Sequence, residues 1–111
     1  MNLTYAQAAL KKYFGYEAFR PLQADIIQAV YDKRDALVLM PTGGGKSVCF
    51  QIPAITLEGV AVVVSPLIAL MKDQVEGLSA NGIPAAFINS SISNDQIRNV
   101  ENALMAGYIK L

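Results

Sequence analysis

Ala36-Leu37-Val38-Leu39-Met40-Pro41-Thr42-Gly43-Gly44-Gly45-Lys46-Ser47 decides how the rest of the chain is read. Its first five residues are a short continuous apolar run, the pattern of a strand buried on both faces of a parallel sheet. Pro41 and the glycines end that run, and a helix is expected from Gly45 or Lys46. A strand that feeds a glycine loop and then a helix suits phosphate binding. Successive glycines let the backbone approach anionic oxygens closely and turn several N–H groups inward. The helix N-terminus adds its partial positive charge. Lys46 is then placed to reach β- and γ-phosphates, and the Ser47 hydroxyl to ligate Mg²⁺. Met40 departs from the general form of this motif, which has glycine there. The alternative is a flexible glycine turn that only happens to precede Lys and Ser.

Upstream, Thr4 with Gln7 three residues on reads as a capping box that opens a helix, and Gly15 reads as its stop. Pro21 suits the first turn of a second helix through about Tyr31, with Ile26, Ile27 and Val30 as its apolar stripe. Pro53 is expected to kink or restart the helix after the glycines, since proline cannot donate the backbone bond. Val60 to Val64 is a second buried strand. Leu67, Leu70, Met71, Val75 and Leu78 then fall at helical spacing, and Ala85 to Ile88 is a third, shorter strand. Ser93 with Gln96 opens the last helix, with Ile97, Val100, Leu104 and Met105 facing inward and Gly107 closing it. Tyr108-Ile109-Lys110-Leu111 resembles the opening of a fourth strand, either the cut end of a longer chain or a natural edge. Strands alternating with helices imply an α/β fold with a parallel sheet flanked by helices.

The composition agrees with a folded domain and narrows its setting. Hydrophobic residues make up 53 % of the 111 and charged residues 16 %, far too apolar for disorder. That excess fits either faces that meet further protein or an ordinary large core. No apolar run approaches the roughly 18 residues of a membrane span, and no secretory signal is visible. Cys49 is the single cysteine and histidine is absent, which excludes a disulfide framework or a zinc site built by this chain alone. A cytoplasmic setting is expected. Net charge is zero, so composition offers no support for nucleic-acid binding, which normally draws on a basic excess.

Two further blocks make the motif specific. Phe14-Gly15-Tyr16-Glu17-Ala18-Phe19-Arg20-Pro21-Leu22-Gln23 stands before the glycine loop, and Ser65-Pro66-Leu67-Ile68-Ala69-Leu70-Met71-Lys72-Asp73-Gln74-Val75 follows the second strand. On its residues alone the first block is a helix end, a turn and a helix start. With Met40-Pro41-Thr42-Gly43-Gly44-Gly45-Lys46-Ser47, in this order and spacing, the chain closely resembles the RecQ family of DNA helicases, over roughly Leu10 to Ser90. In that family F-G-Y-x-x-F-R-P-x-Q is the adenine-recognition element, and M-P-T-G-G-G-K-S is its own form of the phosphate loop, which accounts for Met40. Related RNA helicases of the DEAD-box type carry different residues in the first and third blocks.

The resemblance implies a RecA-like P-loop NTPase domain, here partial. Residues 1–35 would be the helical adenine-recognition segment and 36–111 the P-loop part. Gln23 would hydrogen-bond the adenine edge, and Tyr16 and Arg20 would sandwich the base. Thr42, Gly43, Gly44, Gly45, Lys46 and Ser47 would hold the phosphates of ATP and its Mg²⁺, with Lys46 also acting in catalysis. Lys72 and Asn89 would be DNA-backbone contacts; a solvated helix face and a turn are the plainer readings of these two. Cys49 reads as core packing and Lys11-Lys12 as a solvated face.

ATP hydrolysis needs carboxylates and an arginine beyond this cradle. Helicases of this type take the carboxylates from an Asp-Glu pair, and no Asp-Glu pair occurs in the chain. The fragment alone is therefore expected to be inactive. Its parent would couple ATP hydrolysis to 3′-to-5′ movement on DNA, with the rest of the helicase motor as partner, and the exposed edge of a truncated sheet could drive self-association. A nucleotide-binding regulatory module not coupled to DNA and a small-molecule kinase are the competing functions. A kinase would keep glycine at Met40 and would not need Phe14 to Gln23.

Overall fold

The computed structural model describes residues 2–41 and 45–111, which form two compact units, Met1–Glu58 and Gly59–Leu111. In the first unit, helix α1 (Leu3–Ala9) starts at Asn2, whose side-chain oxygen accepts the Thr4 N–H at 3.0 Å. The box expected at Thr4 is not formed, because Asn2 takes the capping position first and Asn is among the strongest N-caps. The chain continues into a π-helical turn over Leu10–Phe14 and stops at Gly15. Gly15 holds φ +78, the left-handed conformation that ends helices, and its N–H bonds back to the Lys11 carbonyl at 3.0 Å.

Helix α2 (Gln23–Tyr31) begins two residues later than Pro21, which lies in the preceding turn with Leu22. Helix α3 (Lys46–Thr56) runs through Pro53 without restarting. Tyr31 at the end of α2 and Thr56 at the end of α3 share a hydroxyl–hydroxyl bond of 2.6 Å, and Thr56 also donates to the Ile52 carbonyl. The core lies among these helices: Ala6, Ala9, Leu10, Ile27, Tyr31 and Ile52 are buried, with Phe14, Phe19, Val48 and Leu57 packed against them. Two alanines on α1 keep its buried face thin, so larger side chains from α2 and α3 can approach it.

The second unit carries α4 (Ile68–Ala80) and α5 (Asn94–Met105). The capping box expected at the start of α5 is present. Ser93 Oγ accepts the Gln96 N–H at 3.2 Å, and Gln96 Oε1 accepts the Ser93 N–H at 2.8 Å. Ile97, Val100 and Leu104 are half-buried, but Met105 is 90 % exposed rather than inward-facing. Leu78, Ile83 and Ile109 are the buried apolar residues here.

The parallel sheet expected from the sequence is not formed: no strand occurs among the described residues. Residues 36–40, 60–64 and 85–88 are irregular. The C-terminal segment comes nearest to strand pairing. Lys110 accepts from Ala61 N–H at 2.9 Å and donates to the Pro84 carbonyl at 2.8 Å, and Leu111 accepts from Ala86 N–H at 3.1 Å. These few bonds do not make a ladder. A parallel strand needs partners on its edges and cover on both faces, and here the cover is missing. Leu37, Leu39, Val62 and Val64 are 90 %, 84 %, 82 % and 91 % exposed. The apolar runs have strand composition, but composition supplies no neighbour.

Ile52 is fully buried and Tyr5 is 64 % exposed on the same unit. Ile52→Ala is expected to lower stability by about 2–5 kcal/mol, and Tyr5→Ala by no more than about 0.5 kcal/mol. Urea unfolding followed by circular dichroism checks the order, and equal losses would contradict this core.

Candidate nucleotide site

Gln23, the first residue of α2, is 4 % exposed although its side chain is a polar amide. Burial of such a group requires partners, and it has them. Oε1 accepts the Arg20 N–H at 2.8 Å, and Nε2 donates to the Gly45 carbonyl at 3.1 Å. A primary amide has two N–H donors and two acceptor lone pairs, so these bonds engage one of each. The reversed amide would set a carbonyl against a carbonyl at Gly45, so the partners fix its orientation.

Gly45 is the N-cap of α3 and adopts φ +83. Only glycine holds this conformation without strain. A second constraint is steric, because a Cβ at Gly45 would run into the Gln23 amide nitrogen and come within 3.8 Å of Arg20 Cδ. Cys49, one turn into α3, directs its thiol at the same Gly45 carbonyl at 3.7 Å. Burial pushes the Cys49 thiol above its ordinary pKa, so it stays protonated and serves as packing.

Beside the Gln23 amide lies a recess of about 90 Å³, bounded by Leu10, Tyr16, Ala18, Arg20, Gln23 and Val48. Buried Leu10 and half-buried Val48 are its apolar part, while Tyr16 and Arg20 are exposed at its rim. Tyr16, Arg20 and Gln23, all named from the sequence, therefore share one recess. Leu10, Ala18 and Val48 were not singled out. Ala18 and Val48 stand within or next to the motif blocks, which was an available signal. Leu10 had none, because it reaches the recess from the π-helical turn.

Lys46 and Ser47 form the first turn of α3, Lys46 exposed and Ser47 half-buried. Gly45 has no side chain of its own with which to cap this helix, and a helix N-terminus carries a partial positive charge. Thr42, Gly43 and Gly44 lie outside the described residues. Lys72 and Asn89 belong to the second unit. Lys72 Nζ is 3.9 Å from Glu76 Oε1 on an exposed face of α4. Asn89 Oδ1 accepts the Ser91 N–H at 2.8 Å and bonds the Ser91 hydroxyl, closing a turn, while Nδ2 points at Met71 Sδ. Among the described residues no cluster of His, Cys, Asp or Glu could hold a metal ion, and no helix is long and apolar enough to cross a membrane.

Gly45, whose positive φ opens α3, is thus tied to this small recess by the buried Gln23 amide. The chain belongs to the DEAD/DEAH box helicase family, whose sequence profile matches residues 20–110. It is 52 % identical over 106 residues to the ATP-dependent DNA helicase RecQ of Haemophilus influenzae, covering 96 % of this chain and 17 % of that protein. The RecQ proteins of Bacillus subtilis and Pasteurella multocida are each 52 % identical, over 96 % and 88 % of this chain and 18 % and 16 % of their own. The chain thus spans about a sixth of the length of these relatives.

Gly15→Ala and Gly45→Ala separate strain from collision. Both glycines have positive φ, but a Cβ at Gly15 meets nothing within 4 Å. Gly15→Ala should lose about 1–3 kcal/mol from backbone strain, and Gly45→Ala should lose more. Melting temperatures of the two variants check this, and the opposite order would contradict the packing of Gln23 on Gly45.

Proposed function

We propose that this chain is the ATP-binding front part of the first motor domain of a RecQ-type, ATP-dependent 3′–5′ DNA helicase. The observation that carries the reading is the buried Gln23 amide, which joins the recess to the residue that opens α3. The names of the relatives, all ATP-dependent DNA helicases, support it from outside the chain.

In this reading residues 1–35 present the base contacts and 36–111 the phosphate loop with its flanking segments. The N–H and lone pair that Gln23 keeps in reserve match the N7 acceptor and N6 amino group of adenine. Tyr16 and Arg20 flank the base at the rim of the recess. A volume of about 90 Å³ is small beside the roughly 300 Å³ of a full ligand pocket, which suits a shallow base-only contact. Thr42, Gly43, Gly44 and Gly45 surround the phosphates, Lys46 neutralises them, and Ser47 is the Mg²⁺ ligand. MgATP supplies the phosphoanhydride whose hydrolysis drives the motor.

The carboxylates that would complete hydrolysis are not in the sequence, which has no Asp-Glu pair. The chain alone is inactive in this reading, and DNA and the remainder of the motor are its partners. Lys72 and Asn89 stay as candidate DNA contacts, each already engaged locally with Glu76 or Ser91. The exposed apolar residues of the runs 36–40 and 60–64 favour self-association of the isolated chain. A reducing, cytoplasmic setting suits the lone thiol of Cys49.

Thermal melts with excess MgATP and MgGTP test the assignment. A ligand that binds only the folded state adds about 2.7 kcal/mol of stability at a hundredfold excess over Kd. MgATP is expected to raise the midpoint, MgGTP to leave it unchanged, and Lys46→Ala to abolish the rise. Equal shifts from both nucleotides would remove the adenine contact at Gln23. An ATP shift that survives Lys46→Ala would remove the phosphate assignment.

A further inference from the structure

The C-terminal turn of α4 carries a reactive pair that the proposed function does not use. Asn81 is the one asparagine of the chain that is followed by glycine, and both residues are exposed. A Cβ at Gly82 would meet nothing within 4 Å, so neighbouring atoms leave the junction open. The chemistry of such a pair is intramolecular, and glycine favours it because no side chain crowds the attacking nitrogen. The Gly82 backbone nitrogen, losing its proton to solvent, attacks Asn81 Cγ; the Cγ–Nδ2 bond breaks and ammonia leaves. Water then opens the succinimide ring. Addition at Cγ gives aspartate, and addition at the Asn81 main-chain carbonyl carbon gives isoaspartate, whose chain runs on through Cγ. Either way a water enters and an ammonia departs.

The fold holds this pair in a conformation that does not react. Asn81 is the C-cap of α4, with φ −88 and ψ 5. At that ψ the Gly82 nitrogen eclipses the Asn81 nitrogen, whereas ring closure needs it to eclipse Cβ, so the Cα–C bond must rotate. Two hydrogen bonds oppose the rotation. Gly82 N–H donates to the Ser79 carbonyl at 3.0 Å, and Ile83 N–H donates to the Leu78 carbonyl at 2.9 Å. With Gly82 at φ +83, these are the bonds of a Schellman motif, the left-handed glycine closure of a helix. Leu78 and Ile83, the positions whose apolar contact accompanies such a motif, are 4 % and 2 % exposed.

We infer that Asn81 is a site of spontaneous covalent modification, with water as its co-reactant, and that the Schellman turn of α4 sets its rate. Reaction proceeds through molecules in which that turn has opened, and helix ends open locally at lower cost than a whole unit unfolds. The products then work against the turn that delayed them. Aspartate at position 81 puts a negative charge at the negative end of the α4 dipole. Isoaspartate adds an atom to the main chain between residues 81 and 82, so the two closing bonds no longer fit. The damage falls on Leu78 and Ile83, which are among the few buried apolar residues of the second unit.

Incubation of the folded chain at mildly alkaline pH, followed by peptide mapping with mass spectrometry, tests the inference. Asn81 is expected to convert ahead of every other asparagine, including Asn89, whose Oδ1 is held by the Ser91 N–H. A parallel sample in enough urea to unfold the chain is expected to convert Asn81 at least about tenfold faster. This comparison needs no variant to fold. Leu78→Ala keeps the Asn81-Gly82 pair and weakens the turn, so it should speed conversion in native buffer and leave the rate in urea unchanged. Conversion of another asparagine before Asn81 in the folded chain would overturn the site. So would an Asn81 that stays intact there over many half-lives of the unfolded chain. Equal Asn81 rates with and without urea, or a native Leu78→Ala rate no faster than wild type, would overturn control by the turn.

Discussion

One buried hydrogen bond, from Gln23 Nε2 to the Gly45 carbonyl, is the constraint on which the candidate site depends. It joins the beginnings of α2 and α3, whose other ends are joined by the Tyr31–Thr56 hydroxyl bond. Between these two polar ties lies the apolar core of Ile27, Ile52, Leu10 and the α1 alanines. The two helices are thus fastened at both ends and packed along their length. The Gln23 amide can be buried in so small a unit because its bonds are matched, and the same bonds hold the N-terminus of α3. Stability and site geometry are two consequences of one arrangement.

Local features were legible in the sequence and long-range ones were not. The Ser93–Gln96 capping box and the stop at Gly15 depend on residues a few positions apart, and both are found as read. Asn2 displaced Thr4 as the first cap because two good capping residues stood two positions apart and propensity alone does not choose between them. Gln23 and Gly45 were each named, but the bond between them crosses 22 residues, and no periodicity reports it. Leu10 went unnoticed because a π-helical turn breaks the 3.6-residue repeat on which its facing would have been judged.

The sheet is where pattern and structure part. Runs such as Ala36–Met40 and Val60–Val64 have the uniform apolar character of buried strands, and that character is a property of their surroundings in a complete layer. Here Leu39 and Val64 stand almost fully exposed, and among the described residues the C-terminal segment makes backbone bonds with Ala61, Pro84 and Ala86. The helices need no such neighbours. Their backbone bonds close within each element, and the first unit supplies its own core. Among the described residues the helices and the recess form while the apolar runs stay uncovered.

The most direct test of the central claim is a crystal structure of the chain with a non-hydrolysable MgATP analogue. The account predicts the adenine edge on the free face of the Gln23 amide, with Gln23 Nε2 still bonded to the Gly45 carbonyl and the phosphates at Lys46 and Ser47. A base bound away from Gln23, or a Gly45 carbonyl that Gln23 no longer touches, would contradict it.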